Sequence, residues 1–116
     1  MTRQEIFDKV WERAKDKRKA ERRNSAFEAG KICVYRDRRK KLACFAGVLI
    51  TDEEYDPRME NSSFDDIVYS FPQLERFTRQ VGFIRELQLI HDECMPNDWN
   101  EALRGFAKER RLKVPK

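Results

Sequence analysis

The sequence predicts an α+β fold in which a small antiparallel β-hairpin or sheet packs against three to five helices. Apolar residues recur at helical spacing near both ends of the chain. Between them lies a short segment rich in β-branched and aromatic residues, which are strand formers. A charged turn of five residues divides that segment into two arms, and this pattern is typical of a hairpin.

The chain has 116 residues, which suits a single domain covering 1–116. Hydrophobic and charged residues each make up 40%, so we expect a thin core beneath a heavily charged surface. No apolar run is long enough to cross a bilayer, and the N-terminus lacks the apolar core of a signal peptide. The three cysteines, an odd number, fit a reducing compartment, so we expect a cytoplasmic protein without membrane association.

The first predicted element is an N-terminal helix over 1–23. Thr2 and Glu5 have the spacing of a capping box, which favours a helix start at the beginning of the chain. An apolar stripe follows as far as Ala14, after which the segment becomes basic. Through that basic part we expect the helix either to continue to about Arg23 as a solvated rod or to fray.

The hairpin is predicted over 31–50. Its strands are expected at 31–36 and 42–45, joined by the charged turn at 37–41. Because a two-stranded hairpin is marginal by itself, it must pack on helices or gain a further strand. Gly47 is expected to permit a change of chain direction, with apolar residues buried behind it.

An acidic loop is predicted over 51–63, ordered by two anchoring side chains, Tyr55 and Met59. Its carboxylates do not have the spacing of an EF-hand, because a turn glycine and a closing glutamate are absent. The favoured interpretation is a loop that docks on the protein's own basic groups or on a basic partner. Its acidic residues are Asp52, Glu53, Glu54, Asp56 and Glu60.

The remaining chain, 63–112, is predicted to be helical. Ser63 is placed to cap a short helix, and a longer helix over 72–94 is expected to break around Gly82. Asp98 has the spacing of a second capping box before a final amphipathic helix. The residues expected in the core are Trp11, Phe45, Leu49, Phe77, Leu87, Ile90, Trp99 and Phe106.

Charge is unevenly distributed along the chain. Residues 1–41 contain fifteen Lys and Arg against seven Asp and Glu, whereas residues 51–75 contain one against eight. A basic N-terminal third can attract nucleic acid, a nucleotide or an acidic protein face. The alternative interpretation is that the basic and acidic segments face each other or water.

The basic residues of the hairpin turn are the candidate binding site. A tight turn can project its side chains together, guanidinium groups suit phosphates, and an aromatic neighbour such as Tyr35 can stack on a base. The alternative is that the charged turn keeps a sheet edge soluble and binds nothing. The residues predicted to bind a phosphate-bearing or acidic ligand are Tyr35, Arg36, Arg38, Arg39, Lys40 and Lys41, with Arg18 and Arg22 of the first helix.

The cysteines and the single histidine offer the ligand types of a zinc site. Cys33 and Cys44 fall on the two arms of the hairpin, while His91 and Cys94 share one face of a helix. The compact Cys-x-x-Cys spacing of a zinc knuckle is absent. Structural cysteines and a hydrogen-bonded histidine are therefore the favoured interpretation, and no metal or other cofactor is expected.

His91 beside Asp92 supplies the raw material of a general base, so a small enzyme centred on His91 is a weaker alternative. Neighbouring residues on a helix diverge in direction, so we do not expect these two to form a dyad by themselves. No nucleophile elbow, Gly-rich phosphate loop or dinucleotide motif accompanies them. The expected role of His91 is structural, tying its helix to the acidic loop or to a backbone carbonyl.

Several short motifs follow one another along the chain: Cys33–Arg36, Cys44–Ile50, Asp52–Pro57, Leu87–Asp92, and Trp99 with Leu103. Together they resemble a group of small hypothetical proteins encoded by bacteriophages and prophages, over about residues 2 to 112. The resemblance implies a viral setting and brings no catalytic residues with it. Thr51 stands where that group would have a proline, which predicts a less rigid start to the acidic loop.

The resemblance implies a non-enzymatic phage-type host-takeover or counter-defence protein. It would act in the cytoplasm of the infected cell, binding a host defence protein or an anionic nucleotide signal through the basic hairpin and first helix. The alternative is a nucleic-acid-binding accessory protein that places the same residues on phosphates. A homo-oligomer fits a thin core, although no spacing requires one.

Overall fold

The computed structural model describes residues 1–23 and 31–116, and at 22–23 and 31–33 it describes the backbone alone. The α-helices in these ranges are α1 (Arg3–Arg13), α2 (Phe64–Ser70), α3 (Val81–Glu93) and α4 (Trp99–Glu109). Shorter 3₁₀ helices cover Gly47–Leu49, Pro57–Met59, Pro72–Gln80 and Pro96–Asp98. The strands are β1 (Glu21–Arg23), β2 (Lys31–Cys33), β3 (Arg36–Asp37) and β4 (Leu42–Ala43). The predicted α+β class is confirmed, with minimal strand content.

The hydrophobic core lies between the helices. The central element is α3, which contacts α1, α2 and α4. Phe7 of α1 stacks on Phe106 of α4 with ring centroids 6.2 Å apart, and Phe83 of α3 meets Phe106 at 5.2 Å. Ile90 packs against this core but remains partly exposed. The other predicted core residues are buried as expected: Trp11, Phe45, Leu49, Phe77, Leu87, Trp99 and Phe106.

The first helix is shorter than predicted. Its capping box is present, because the Glu5 N–H donates to Thr2 Oγ1 (3.1 Å) and the Thr2 N–H donates to Glu5 Oε1 (2.8 Å). The helix ends at Arg13, so its predicted continuation to residue 23 is wrong. The basic residues beyond Ala14 have no apolar stripe to bury, and helix propensity alone does not hold a short helix in water.

The turn after α1 is held by the guanidinium of Arg13. Its Nη1 and Nη2 donate to the carbonyl oxygens of Asp16 (2.9 Å) and Arg18 (2.7 Å). Its Nε donates to the carbonyl oxygen of Ala43 in β4, and the group lies over the Trp99 ring at 5.7 Å from the centroid. One planar fork therefore joins the turn, the hairpin and the start of α4.

The predicted hairpin is present in a shorter form. β3 pairs with β4 in an antiparallel register that places Arg36 opposite Ala43. β2 pairs instead with β1, with Ile32 opposite Arg22, so the predicted strand at 31–36 is divided between two sheets.

The carboxylate of Glu60 is the reason for this division. It accepts from the backbone N–H groups of Tyr35 (Oε1, 2.9 Å) and Arg36 (Oε2, 3.1 Å). One residue earlier, the Val34 N–H donates to the Ala20 carbonyl at 2.9 Å. Successive amides of a regular strand point to opposite sides, so one carboxylate that accepts from both Tyr35 and Arg36 interrupts the strand here.

The acidic loop is anchored as predicted, since Met59 is fully buried and Tyr55 is partly buried against the core. At its start, the Thr51 N–H donates to Glu54 Oε1 (2.9 Å) and the Glu54 N–H donates to Thr51 Oγ1 (3.3 Å). This reciprocal pair holds the chain at the start of the acidic loop.

The later helices agree with the predicted pattern in outline. Ser63 caps α2 by accepting from the Asp66 N–H at 3.3 Å. The long predicted helix changes from a 3₁₀ to an α-helix at Gln80, two residues before Gly82. Asp98 makes no side-chain cap, because a 3₁₀ turn runs directly into α4, so the second predicted capping box is wrong. Within the described ranges, no helix combines the length and apolar character that a membrane span requires.

Gly47 allows two backbone segments to approach closely. A Cβ added there would lie 2.2 Å from the carbonyl oxygen of Tyr35, and backbone cannot move aside cheaply. We expect Gly47→Ala to lower the free energy of unfolding by about 2 kcal/mol or more. Gly105→Ala is the matched control: its Cβ meets nothing within 4 Å in mid-α4, so it should stabilise by about 0.5–1 kcal/mol. Urea denaturation measures both, and equal effects would contradict the steric explanation.

Replacing Arg13 by lysine should destabilise the protein although the charge is retained. An ammonium group cannot reach three carbonyl oxygens in the directions that the guanidinium serves. We expect Arg13→Lys to lower the free energy of unfolding by about 2–3 kcal/mol, measured by chemical denaturation. The exposed Arg79→Lys should stay within about 0.5 kcal/mol of the wild type, and a similar value for Arg13→Lys would show that the fork is dispensable.

Candidate anion-binding groove

An open groove of about 870 Å³ lies between the hairpin turn and the acidic loop. A smaller hollow of about 470 Å³ adjoins it and shares Arg36, Asp37, Arg38 and Tyr55 with it. Volumes in this range accommodate small-molecule ligands. The cations that line the groove are Arg36, Arg38, Arg39 and Lys40, and the carboxylates are Glu21, Asp37 and Glu60.

Tyr55 forms the wall common to both depressions. The Cζ atoms of Arg36 and Arg38 lie 5.5 and 5.6 Å from the centroid of its ring. Its hydroxyl donates to Glu60 Oε2 at 2.5 Å. Burial and this carboxylate raise the pKa of Tyr55 above its ordinary value, so the phenol stays neutral. An aromatic surface is thus fixed beside two cations.

The two arginines at Tyr55 differ in freedom. Arg36 forms an ion pair with Asp52 at 2.5 Å and donates to the Ile50 carbonyl, and its side chain is only 23% exposed. Arg38 is exposed on the turn. Arg36 is therefore a fixed cation whose charge is already balanced, while Arg38 can move to meet a ligand.

The hairpin turn presents its cations on a defined backbone. Asp37 Oδ1 accepts from the Lys40 N–H at 3.2 Å, which closes the turn. Lys41 takes the left-handed conformation, with φ of 54°, and returns the chain to β4. Arg39, Lys40 and Lys41 are all exposed. The run of basic residues is therefore brought together at one tip, as the sequence predicts.

Tyr35 and Arg18, predicted with this cluster, line neither depression. Tyr35 is 8% exposed and its hydroxyl donates to the Ser62 carbonyl at 2.7 Å, so its predicted role as a stacking ring is wrong. Arg18 lies on the turn after α1 and pairs with Asp16 at 2.7 Å. The side chain of Arg22 lies outside the described residues.

Tyr55 and Glu60 line the groove, but the sequence pattern does not predict them as binding residues. It assigns Tyr55 only an anchoring role and Glu60 only a place among the loop carboxylates. The available signal is the position of Tyr55, a single aromatic ring within an acidic run. Such a ring must either be covered by its own chain or offer a surface to a ligand.

The acidic loop pairs with the protein's own arginines. The ion pairs are Asp52 with Arg36, Glu54 with Arg76 and Asp56 with Arg58. The Arg76 guanidinium holds the pKa of Glu54 well below its usual range, at about 2. Glu53 is exposed. This arrangement agrees with the interpretation of a loop docked on the protein's own basic groups.

His91 is completely buried. Its Nε2 accepts from the Ala20 N–H at 3.2 Å, so Nδ1 carries the proton and donates to Asp92 Oδ1 at 2.9 Å. The two neighbouring side chains do bond, so the prediction that they would not form a pair is wrong. The ring also packs against Phe45 and Trp99 at 5.2 and 5.3 Å. Neither nitrogen is open to a substrate, and His91 tethers α3 to a backbone N–H rather than to a carbonyl.

The cysteines are separate features. Cys44 is buried and its Sγ accepts from the Gly47 N–H at 3.2 Å, while burial raises the pKa of the thiol to about 12. Cys94 is partly exposed at the end of α3, and the side chain of Cys33 lies outside the described residues. Among the residues that are described, no three His, Cys, Asp or Glu side chains are grouped to hold a metal ion.

Comparisons with known proteins give no relative for this chain. No protein-family model matches it, and neither the curated proteins nor the solved structures contain a match. The candidate site therefore depends on the geometry and charge of its own residues.

Acidification should destabilise the fold through His91, the one histidine in the sequence. Burial lowers its pKa below the ordinary 6.5. As the pH falls through about 6.5, the unfolded chain therefore takes up a proton before the folded chain does, and the free energy of unfolding decreases. Denaturation from about pH 8 to pH 5.5, where histidine is the main titrating side chain, measures this loss. His91→Gln should show a flatter profile, and an unchanged slope would contradict the assignment.

Proposed function

We propose that this chain is a non-enzymatic binding protein that takes a phosphate-bearing ligand into the groove beside the hairpin turn. The observation that supports this most directly is the position of exposed Arg38, Arg39 and Lys40 beside Tyr55, along one groove. Guanidinium and ammonium groups form charge-assisted hydrogen bonds with phosphate oxygens. No step of this proposal requires a nucleophile or a metal ion.

Protein donors already occupy two of the three carboxylates that line the groove, which holds these side chains in place without removing their charge. Glu60 accepts from two backbone N–H groups and from the hydroxyl of Tyr55. Asp37 accepts from the Lys40 N–H within the turn. The exposed donors at the tip are therefore the groups best placed to receive an anion.

The resemblance to phage-encoded proteins extends the proposal to a host-takeover or counter-defence role. In that role the protein would bind a nucleotide signal or an acidic face of a host protein and would remove it from use. Affinity capture of the tagged protein from infected cells, after nuclease treatment, tests this setting. One stoichiometric host protein or one bound nucleotide supports it, and recovery of nucleic acid alone contradicts it.

Nucleic acid would contact the same cations, but its binding has a different signature. Affinity for DNA or RNA should fall steeply with salt, with a slope that reflects the number of phosphates contacted. A single small ligand in the groove should show a shallow salt dependence and should not be displaced by bulk DNA.

Removal of the tip cations should abolish most binding. With inorganic tripolyphosphate as the probe, we expect the Arg38→Ala, Arg39→Ala, Lys40→Ala triple variant to lose about tenfold or more in affinity by titration calorimetry. Amide shifts in NMR spectra should concentrate at 37–41 and around Tyr55.

The matched control removes the same charge elsewhere. Lys9, Arg79 and Lys108 are exposed on α1, the 72–80 helix and α4, and their triple alanine variant should bind within about twofold of the wild type at moderate salt. Equal losses in both variants would show that only net charge matters. No binding of tripolyphosphate to the wild type would show that the tip cations alone do not hold a phosphate chain.

A further inference from the structure

We infer that the ligand of this groove carries a planar aromatic ring that stacks on Tyr55, which makes its class a nucleotide rather than an inorganic or protein-bound phosphate. This inference rests on the proposed function, because it names the ligand class of the same site. It comes from the way in which the ring of Tyr55 is held and covered.

The ring is fixed before any ligand arrives. Its hydroxyl is bonded to Glu60 at 2.5 Å, and the same carboxylate is held by the amides of Tyr35 and Arg36 at 2.9 and 3.1 Å. Three protein donors on one carboxylate leave Tyr55 little freedom to turn away. A surface that is already ordered loses little entropy on binding, which favours affinity.

The two cations over the ring have unequal roles. Arg36 is retained by Asp52 and by the Ile50 carbonyl, so it stays in place when the groove fills. Arg38 is exposed on the turn, with its Cζ 5.6 Å from the ring centroid. Arg38 is thus the cover that an entering base displaces.

The exchange of Arg38 for a base favours binding. An exposed cation–π contact is worth about two- to fivefold in affinity. Stacking of a base on an aromatic side chain is worth about five- to 150-fold. The displaced guanidinium remains on the turn with Arg39 and Lys40, where phosphate oxygens would lie. The groove therefore offers one aromatic face and one group of hydrogen-bond donors for phosphate oxygens. These complement the base and the phosphates that a nucleotide carries together.

The test compares two probes of similar charge, ATP and inorganic tripolyphosphate, without divalent cations. The wild type should bind ATP about fivefold or more tightly than tripolyphosphate by titration calorimetry. Tyr55→Leu should remove this preference, because it should lower the affinity for ATP more than the affinity for tripolyphosphate. Tyr55→Phe keeps the ring and loses only the hydroxyl, so it should retain the preference for ATP.

The outcomes distinguish a failure of base stacking on Tyr55 from a failure of phosphate binding in the groove. Equal affinity of the wild type for ATP and tripolyphosphate would overturn the stacking inference and leave phosphate binding in the groove intact. Retention of the ATP preference in Tyr55→Leu, which has no aromatic ring, would also overturn stacking. Failure of both probes to bind the wild type would overturn the proposed function itself.

Discussion

The guanidinium of Arg13 is the contact on which the rest of the structure depends. It serves two carbonyl oxygens of the turn after α1 and a third in β4, and it covers the ring of Trp99. Backbone carbonyls that leave a helix and approach the core need donors, and no regular element supplies them here. Because Arg13 donates to these carbonyl oxygens, the chain can reverse directly after α1, and β1 can pair with β2. The same contact ties the hairpin to the helical core.

The candidate groove lies at the end of a continuous series of hydrogen bonds that begins at this contact. β4 is held by Arg13, β3 pairs with β4, and the amides at Tyr35 and Arg36 hold the carboxylate of Glu60, which in turn holds Tyr55. The backbone of the tip at 38–41 is closed locally by Asp37. The fold therefore orders the ring of Tyr55, while the exposed basic side chains of the tip can change conformation.

The sequence predicts those parts of the fold whose causes are local. The apolar stripes of the helices and the capping box at Thr2 depend on residues three or four positions apart, and the basic tip depends on a single tight turn. The path of the chain directly after α1 is not predictable in this way, because Arg13 ties this turn to the carbonyl of Ala43, thirty residues later. The division of the strand at Tyr35 likewise depends on Glu60, twenty-five residues later. Tyr35, the predicted stacking ring, is consequently buried, and Tyr55 lines the candidate groove.

Strand edges are where small β-structures recruit strands from neighbouring molecules, because unpaired amides can serve as a template for aggregation. In β3 the outward amide at Arg36, with that of Tyr35 beside it, is occupied by the side chain of Glu60. A carboxylate in that position presents only acceptors to an approaching strand and continues no ladder. Glu60, which orders the ring of Tyr55, therefore also blocks the addition of a further strand at this edge. At the high protein concentration of a cell, the hairpin should not grow into a fibre by this route.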